Sequence, residues 1–308
     1  MKRELLISEF LSTPWALMPE RLNAMTAVLA RWNLGIPAGQ STMANIEAAK
    51  EARAARAASV PTQGGIAVLP LYGIVTQRGN MADDVSGPGS VSTQQFGSSL
   101  TNLINDDSVG QILIDIDSPG GSVYGVSELA DQIIAARTKK PIVAIANSLA
   151  ASAAYWIGCS ASEFYVTPGG EVGSIGVWQA HNDYSKALAD EGVVTTLISA
   201  GKFKVEGNPY EPLDEEARAF MQSRVDDYYS AFTKAVAKGR GVPIDTVRNG
   251  MGQGRVLGAD EALANKMVDG VATFDDVLSQ MKKKGQATRM PAKASRLSAA
   301  ANELKLIA

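Results

Sequence analysis

The sequence predicts an α/β fold, a mostly parallel sheet with flanking helices, preceded by an N-terminal helical arm. Two observations carry this. From Gly65 onward, short β-rich apolar runs alternate with amphipathic segments, the pattern of βαβ units. With 45% hydrophobic and 20% charged residues over 308 positions, the chain can bury one large core and still carry appendages.

Taken in order, Pro19–Trp32 and Thr42–Ala58 read as helices joined by the Gly/Pro-containing stretch 35–39. The second, MANIEAAKEARAARAA, is rich in helix formers but nearly devoid of large apolar side chains, so it reads as an exposed arm or linker. Strands are expected at about 65–76, 111–116, 141–146, 163–167, 174–178 and 193–199. Helices are expected between them at about 93–106, 123–138, 150–160 and 182–191. A loop rich in Gly, Lys and Pro, 200–212, leads to a long helix from Asp214 to Lys238, and shorter helices follow at 243–249, 258–264 and 273–284. The boundaries that result are an arm over 1–62, a catalytic-size domain over 63–280 and a basic, Ala/Ser-rich, flexible tail over 281–308.

Several chemistries are disfavoured at once. A net charge of −3 supplies no basic field for nucleic acid. The single Cys159 cannot form an internal disulfide, and the single His181 rules out HExxH and most zinc sites, so no metal site is expected. Walker and GxSxG patterns are absent, and GMGQG at 250–254 follows a helix rather than a strand. No apolar run reaches membrane-spanning length, and Pro14 and Pro19 interrupt the first apolar stretch, so a soluble, cytoplasmic protein is expected.

Three segments remain that can carry a reaction. In ILIDIDSPGGSVYGVSELADQI an apolar strand meets a sharp turn, where Gly120 and Gly121 can adopt backbone shapes closed to other residues and expose N–H groups to an oxyanion. A plain strand-to-helix turn is the simpler reading. In PIVAIANSLAASAAYWIG, Ser152 sits at the start of a predicted helix among Ala150, Ala151, Ala153 and Ala154, which leaves room for a substrate chain; the simpler reading is a tightly packed core helix. The third is GEVGSIGVW with the later LISAGKFKVEGNPYEPL. A serine hydroxyl needs a base, and with histidine scarce a lysine kept neutral by burial can serve. Lys204 and Lys202 both stand in that Gly-bounded loop, and a solvated surface lysine is the ordinary alternative for each. His181 with Asp183 could belong to a triad, but it precedes a helix start where a capping role is ordinary.

The ordered set SPGGSV, AASAAYW, GSIGV and GKFKVEGNPY, running from Gly65 to Val271, resembles the signal peptide peptidase A family of Ser/Lys peptidases. That resemblance implies the Clp protease/crotonase-type fold. It assigns Ser152 as nucleophile, Lys204 as general base, Ser174 as the hydroxyl that orients the lysine, and Gly120, Gly121 and the Ala153 N–H as the oxyanion hole. VEGNPY after the base and AHNDY after GSIGVW are similar to the phage and prophage branch, the capsid-assembly or head-maturation proteases related to minor capsid protein C.

The implied reaction is peptide hydrolysis through an acyl-enzyme with no cofactor, in the host cytoplasm or a virion precursor. The implied partners are peptide substrates such as scaffold, portal or capsid proteins, together with further copies of the chain in a homo-oligomer; the tail could bind substrates or be cut away. A crotonase-type acyl-CoA enzyme would need neither Ser152 nor Lys204, and a non-catalytic capsid or scaffold component would retain the fold for assembly alone.

Overall fold

The computed structural model describes residues 13–18, 62–63, 65–78 and 90–285. The expected helices at 19–32 and 42–58 and the tail beyond residue 285 lie outside the described residues.

The most apolar runs make the centre of the main sheet. Strands β3 (Ile66–Tyr72), β6 (Gln111–Ser118) and β8 (Ile142–Ala151) lie parallel, with Val68 opposite Leu113 and Leu113 opposite Val143. Ile112, Leu113, Ile114 and Ile116 are all fully buried, as happens when both faces of a parallel sheet are covered. β2 (Thr62–Gln63) adds to β3 antiparallel. The other edge of β8 is divided: Val143–Ala146 pair with β9 (Glu163–Val166), and Leu149–Ala151 pair with β10 (Glu171–Gly173). β11 (Val256–Gly258) continues antiparallel beyond β10, and β12 (Gly270–Val271) parallel beyond β9.

A second sheet grows out of the first. β3 turns at Gly73 into β4 (Ile74–Thr76), and β6 turns at Pro119 into β7 (Gly120–Ser122). Ser118 Oγ donates to the Gly73 carbonyl at 2.6 Å and ties the two turns together. The order is β1 (Trp15–Leu17), β7, β4, β5 (Ser90–Ser92), with β1 antiparallel to β7.

Helices cover both faces of the main sheet. α1 (Thr93–Asn105) begins at Ser92, whose Oγ accepts the Gln95 N–H at 3.3 Å. With α2 (Val126–Ala136), α3 (Ala153–Gly158) and α5 (Glu215–Arg240), it contributes Phe96, Leu100, Leu129, Ile133, Trp156 and Phe232 to one large apolar cluster. Trp156 and Phe232 stack with centroids 4.7 Å apart and planes 9° from parallel. A final helix, α8, residues 274–285, packs Val277, Leu278 and Met281 on the opposite face against Ile66, Leu113 and Ile145. The smaller α4 (Ser185–Asp190), α6 (Ile244–Gly250) and α7 (Ala259–Ala264) complete the order.

Three expectations are corrected. β8 runs on to Ala151, so the helix expected over 150–160 starts only at Ala153. The strand expected at 174–178 lies at 171–173, because the positive φ of Ser174, 53°, ends the extended chain. Residues 193–199 form no strand. Strand formation depends on a neighbour to pair with, and this run has none among the described residues: Val194 is 86% and Ile198 97% exposed.

Candidate active site

Ser152 joins β8 to α3. Its backbone, φ 55° and ψ −118°, is a conformation that glycine favours and other residues resist, at a cost of about 1–3 kcal/mol. The result is a sharp elbow from strand to helix, built without a GxSxG sequence. Ala150 and Ala154, both fully buried, stand two residues to either side, where larger side chains would crowd the turn. The Ser152 N–H donates to Gly173 O at 2.7 Å, and among the described residues Oγ reaches only the Gly176 carbonyl at a long 3.5 Å. Ser152 is 1% exposed. Since α3 has six residues, the N–H groups beside the hydroxyl matter more here than any macrodipole.

The glycine turn arrives from β6. A register shift between Ile116 and Ser118 sets Ser118 opposite Ala150, so the chain from Pro119 onward passes the end of β8. At Gly120, φ is +97°, and a Cβ there would run into the carbonyl oxygens of Ala16 and Ala151 and into Ser152 Cβ. The Gly120 N–H donates to Ser118 Oγ at 3.2 Å. Of the two glycines, then, Gly121 is the one whose N–H is directed along the edge that β7 shares with β1. The first N–H groups of any helix lack an acceptor within it, and that of Ala153 adjoins the Ser152 hydroxyl.

Ser174 belongs to the same cluster. It follows β10 as Ser152 follows β8, and with Gly173 opposite Ala151 the two serines leave neighbouring strands at one level. Its N–H donates to Arg255 O at 2.7 Å. Ser152, Ser174, Gly120, Gly121 and Ala153 are thus brought together.

Lys204 is not among them. It lies exposed in the turn over 201–207, and among the described residues its ammonium has no hydrogen-bond or ion-pair partner. Lys202 pairs with Glu216 of α5 at 2.8 Å and lies 4.4 Å from the Phe203 ring centroid, so it is tied to the start of that helix and to its own loop. His181 Nε2 lies 3.0 Å from Asn208 O, and Asp183 accepts the Ser185 N–H at 2.8 Å, contacts that hold the 181–210 segment rather than a triad. Those bonds to Ser185 hold the Asp183 carboxyl below its ordinary range. Burial pushes the Cys159 thiol up to about 12, which removes it as a rival nucleophile. Among the described residues, no group of three or more His, Cys, Asp or Glu could hold a metal ion, and no helix is long and apolar enough to cross a membrane.

Two participants escaped the sequence reading. Trp178 and residues 15–17 form a strip along β7: Trp15 and Trp178 exchange N–H···O bonds at 2.8 and 3.0 Å, and Trp178 Nε1 donates to Leu17 O at 2.9 Å. The signal in the sequence is a Pro-bounded apolar run of strand length, WALM between Pro14 and Pro19.

Comparison with known proteins places these residues in a family. Capsid assembly protease C of Escherichia phage lambda is 34% identical over 227 residues, covering 74% of this chain and 51% of that protein. Head-tail preconnector protein GP5 of Enterobacteria phage P21 is 36% identical over 220 residues, 70% of this chain and 42% of the relative. Protease 4 of Salmonella typhi is 28% identical over 208 residues, 67% and 33%. The chain therefore spans about half the length, or less, of these relatives. The sequence profile of peptidase family S49 matches residues 134–288, a stretch that holds Ser152, Ser174 and Lys204, and the parallel sheet with its flanking helices is the Clp protease/crotonase-type fold of that family. The chain belongs to peptidase family S49.

Proposed function

We propose that this chain is a serine endopeptidase in which Ser152 attacks the scissile carbonyl, the Gly121 and Ala153 N–H groups receive the oxyanion with Gly120 shaping the turn, and Lys204 is the general base, oriented by Ser174. The observation that carries the reading is the elbow at Ser152, a strained serine held beside a glycine turn in a family of peptidases. Strain concentrated at one hydroxyl-bearing residue is expected where position matters more than stability. No cofactor enters the reaction. The likeness to a capsid assembly protease supports a role in phage head assembly, with scaffold, portal or capsid proteins as substrates. The peptidase domain is proposed to be centred on 63–280, between an arm over 1–62 that lends it β1 and a tail over 281–308 whose first residues complete α8.

The exposed position of Lys204 gives this proposal its form. A serine without a base is a poor nucleophile, and the lysine in one copy stands in solvent. It is carried by a segment whose Val194, Ile198 and Phe203 are exposed and whose strand-like sequence finds no partner among the described residues. Burial of that arm on a neighbouring copy would bring the amine of one subunit to the hydroxyl of another and desolvate it, in a homo-oligomer whose sites are shared.

The test is complementation. Ser152→Ala and Lys204→Ala are each expected to lose at least ~10³-fold in turnover of an unfolded protein substrate. Mixed and reassembled, the two inactive variants are expected to recover activity. An active Ser152→Ala protein would sink the peptidase reading; inactive singles that stay inactive when mixed would sink the sharing of sites.

A further inference from the structure

β1 is a peptide bonded along both edges. On one side it pairs antiparallel with β7, Trp15 opposite Ser122, Ala16 opposite Gly121 and Leu17 opposite Gly120, with the Val123 N–H reaching Pro14 O at 3.5 Å and the Met18 N–H reaching Pro119 O at 3.2 Å. On the other side lies Trp178. Because Trp15 directs its N–H and C=O to Trp178, and successive residues of a strand alternate edges, Ala16 directs its own to Gly121.

The Ala16 carbonyl therefore meets the glycine N–H assigned above to an oxyanion. It is also beside the nucleophile: the Ala16 oxygen and Ser152 Cβ both lie within 2.9 Å of the single point where a Cβ on Gly120 would stand. Ala16 is fully buried and, unlike Trp15 and Leu17, is part of the main apolar cluster that contains Ala153 and Ala154. An extended peptide added to the edge of a sheet, with its backbone bonded on both sides and a small side chain seated in a closed slot, is a general mode of peptide recognition.

We infer that residues 14–18 lie in the substrate groove as an internal peptide, with Ala16 in the place of the residue whose carbonyl is attacked, so that an incoming substrate strand must displace β1. This rests on the peptidase reading for the identity of the groove. It accounts for a nucleophile that is 1% exposed although its proposed substrates are proteins. A tethered strand competes at a high effective concentration, and the apparent affinity for any other peptide falls by the fraction of molecules with the groove open. Selectivity follows from the same geometry: the slot filled by the Ala16 methyl has room for a small apolar side chain.

A binding measurement that needs no catalysis tests this. A fluorescein-labelled peptide with the sequence of residues 12–20 is titrated against full-length Ser152→Ala and against Ser152→Ala/Ala16→Arg, following anisotropy. An arginine cannot enter the closed slot, so the double variant should bind the peptide about tenfold tighter or more, as for a groove open in fewer than about a tenth of the parent molecules. The same peptide carrying Ala16→Arg should not bind. Leu17→Lys replaces Ala16→Arg, with the same expectation, if thermal melting shows that the first variant fails to fold. Equal affinity for parent and variant, or binding to neither, overturns the inference. Tight binding to the variant with no fluorophosphonate labelling of Ser152 in the otherwise wild-type Ala16→Arg chain would uphold the groove and sink the peptidase reading instead.

Discussion

Ser152 and Ser174 leave adjacent parallel strands at the same level and both with positive φ, 55° and 53°, the Ser152 N–H bonded to the carbonyl of Gly173 just before its counterpart. Two serines strained alike at one end of a sheet are held by their surroundings rather than by preference. Replacing the first by the residue its backbone suits should release that strain. Ser152→Gly is expected to stabilise the protein by about 1 kcal/mol in urea unfolding, while ending peptidase activity. A loss of stability would mean that the hydroxyl contributes more than the turn costs.

Gly120 and Gly176 make a matched pair for a second measurement. A methyl at Gly120 meets backbone oxygens of Ala16 and Ala151 at positive φ, whereas one at Gly176 finds nothing nearer than Gly254 Cα at 3.7 Å. Gly120→Ala should cost at least ~2 kcal/mol and abolish acylation of Ser152, and Gly176→Ala should unfold close to wild type. Urea melts of the two variants, run beside fluorophosphonate labelling, check it.

Behind the elbow, Phe232 of α5 lies flat on Trp156 of α3, and both are buried. Phe232→Ala should destabilise by about 3–5 kcal/mol, and because α3 loses its backing, labelling of Ser152 should fall even under conditions where the variant is folded. Normal labelling in a folded but destabilised variant would show that α3 holds its position without α5.

Arg240 and Asp269 form a two-pronged ion pair at 2.7 and 2.8 Å, and Asp269 also accepts the Phe164 N–H at 2.7 Å. Burial alone would raise the Asp269 carboxyl; the bonds from Arg240 and Phe164 outweigh it and leave the group below its ordinary value. A carboxylate lowered by folding contributes stability above its unfolded pKa and loses it as pH falls through the folded one. Asp269→Asn should therefore cost about 1–2 kcal/mol at neutral pH, the exposed side of the carboxylate keeping the figure modest. The gap from wild type should close as pH drops below about 4. A gap that persists at pH 2 would assign the effect to packing instead.

Much of the architecture was legible because it rests on local pattern. The runs at 112–116 and 142–146 could only be buried strands, and the helices over 93–105, 215–240 and 244–250 fall within a few residues of expectation because caps such as Ser92 and Asp214 mark their starts. Ordered motifs named Ser152, Ser174 and the glycines, and the fold brings them to one end of the sheet. What escaped depends on distant partners. Residues 193–199 have strand composition but no strand neighbour among the described residues, and residues 15–17 became a strand because β7 offers an edge more than a hundred residues away. The position of Lys204 could not be read either, since nothing local decides whether a lysine in a Gly-bounded turn is wet or dry.

The divided edge of β8 separates rigidity from adjustment. Its first half is clamped between β6 and β9, its last three residues rest on β10, and Asn147 and Ser148 between them are exposed, while the register with β6 slips at the same level. A displacement imposed at the Ser152 end can be taken up over those two residues before it reaches Ile145 or Phe164. The break at Asn147 and Ser148 thus divides one strand into a part fixed by pairing on both edges and a part that ends at the Ser152 elbow.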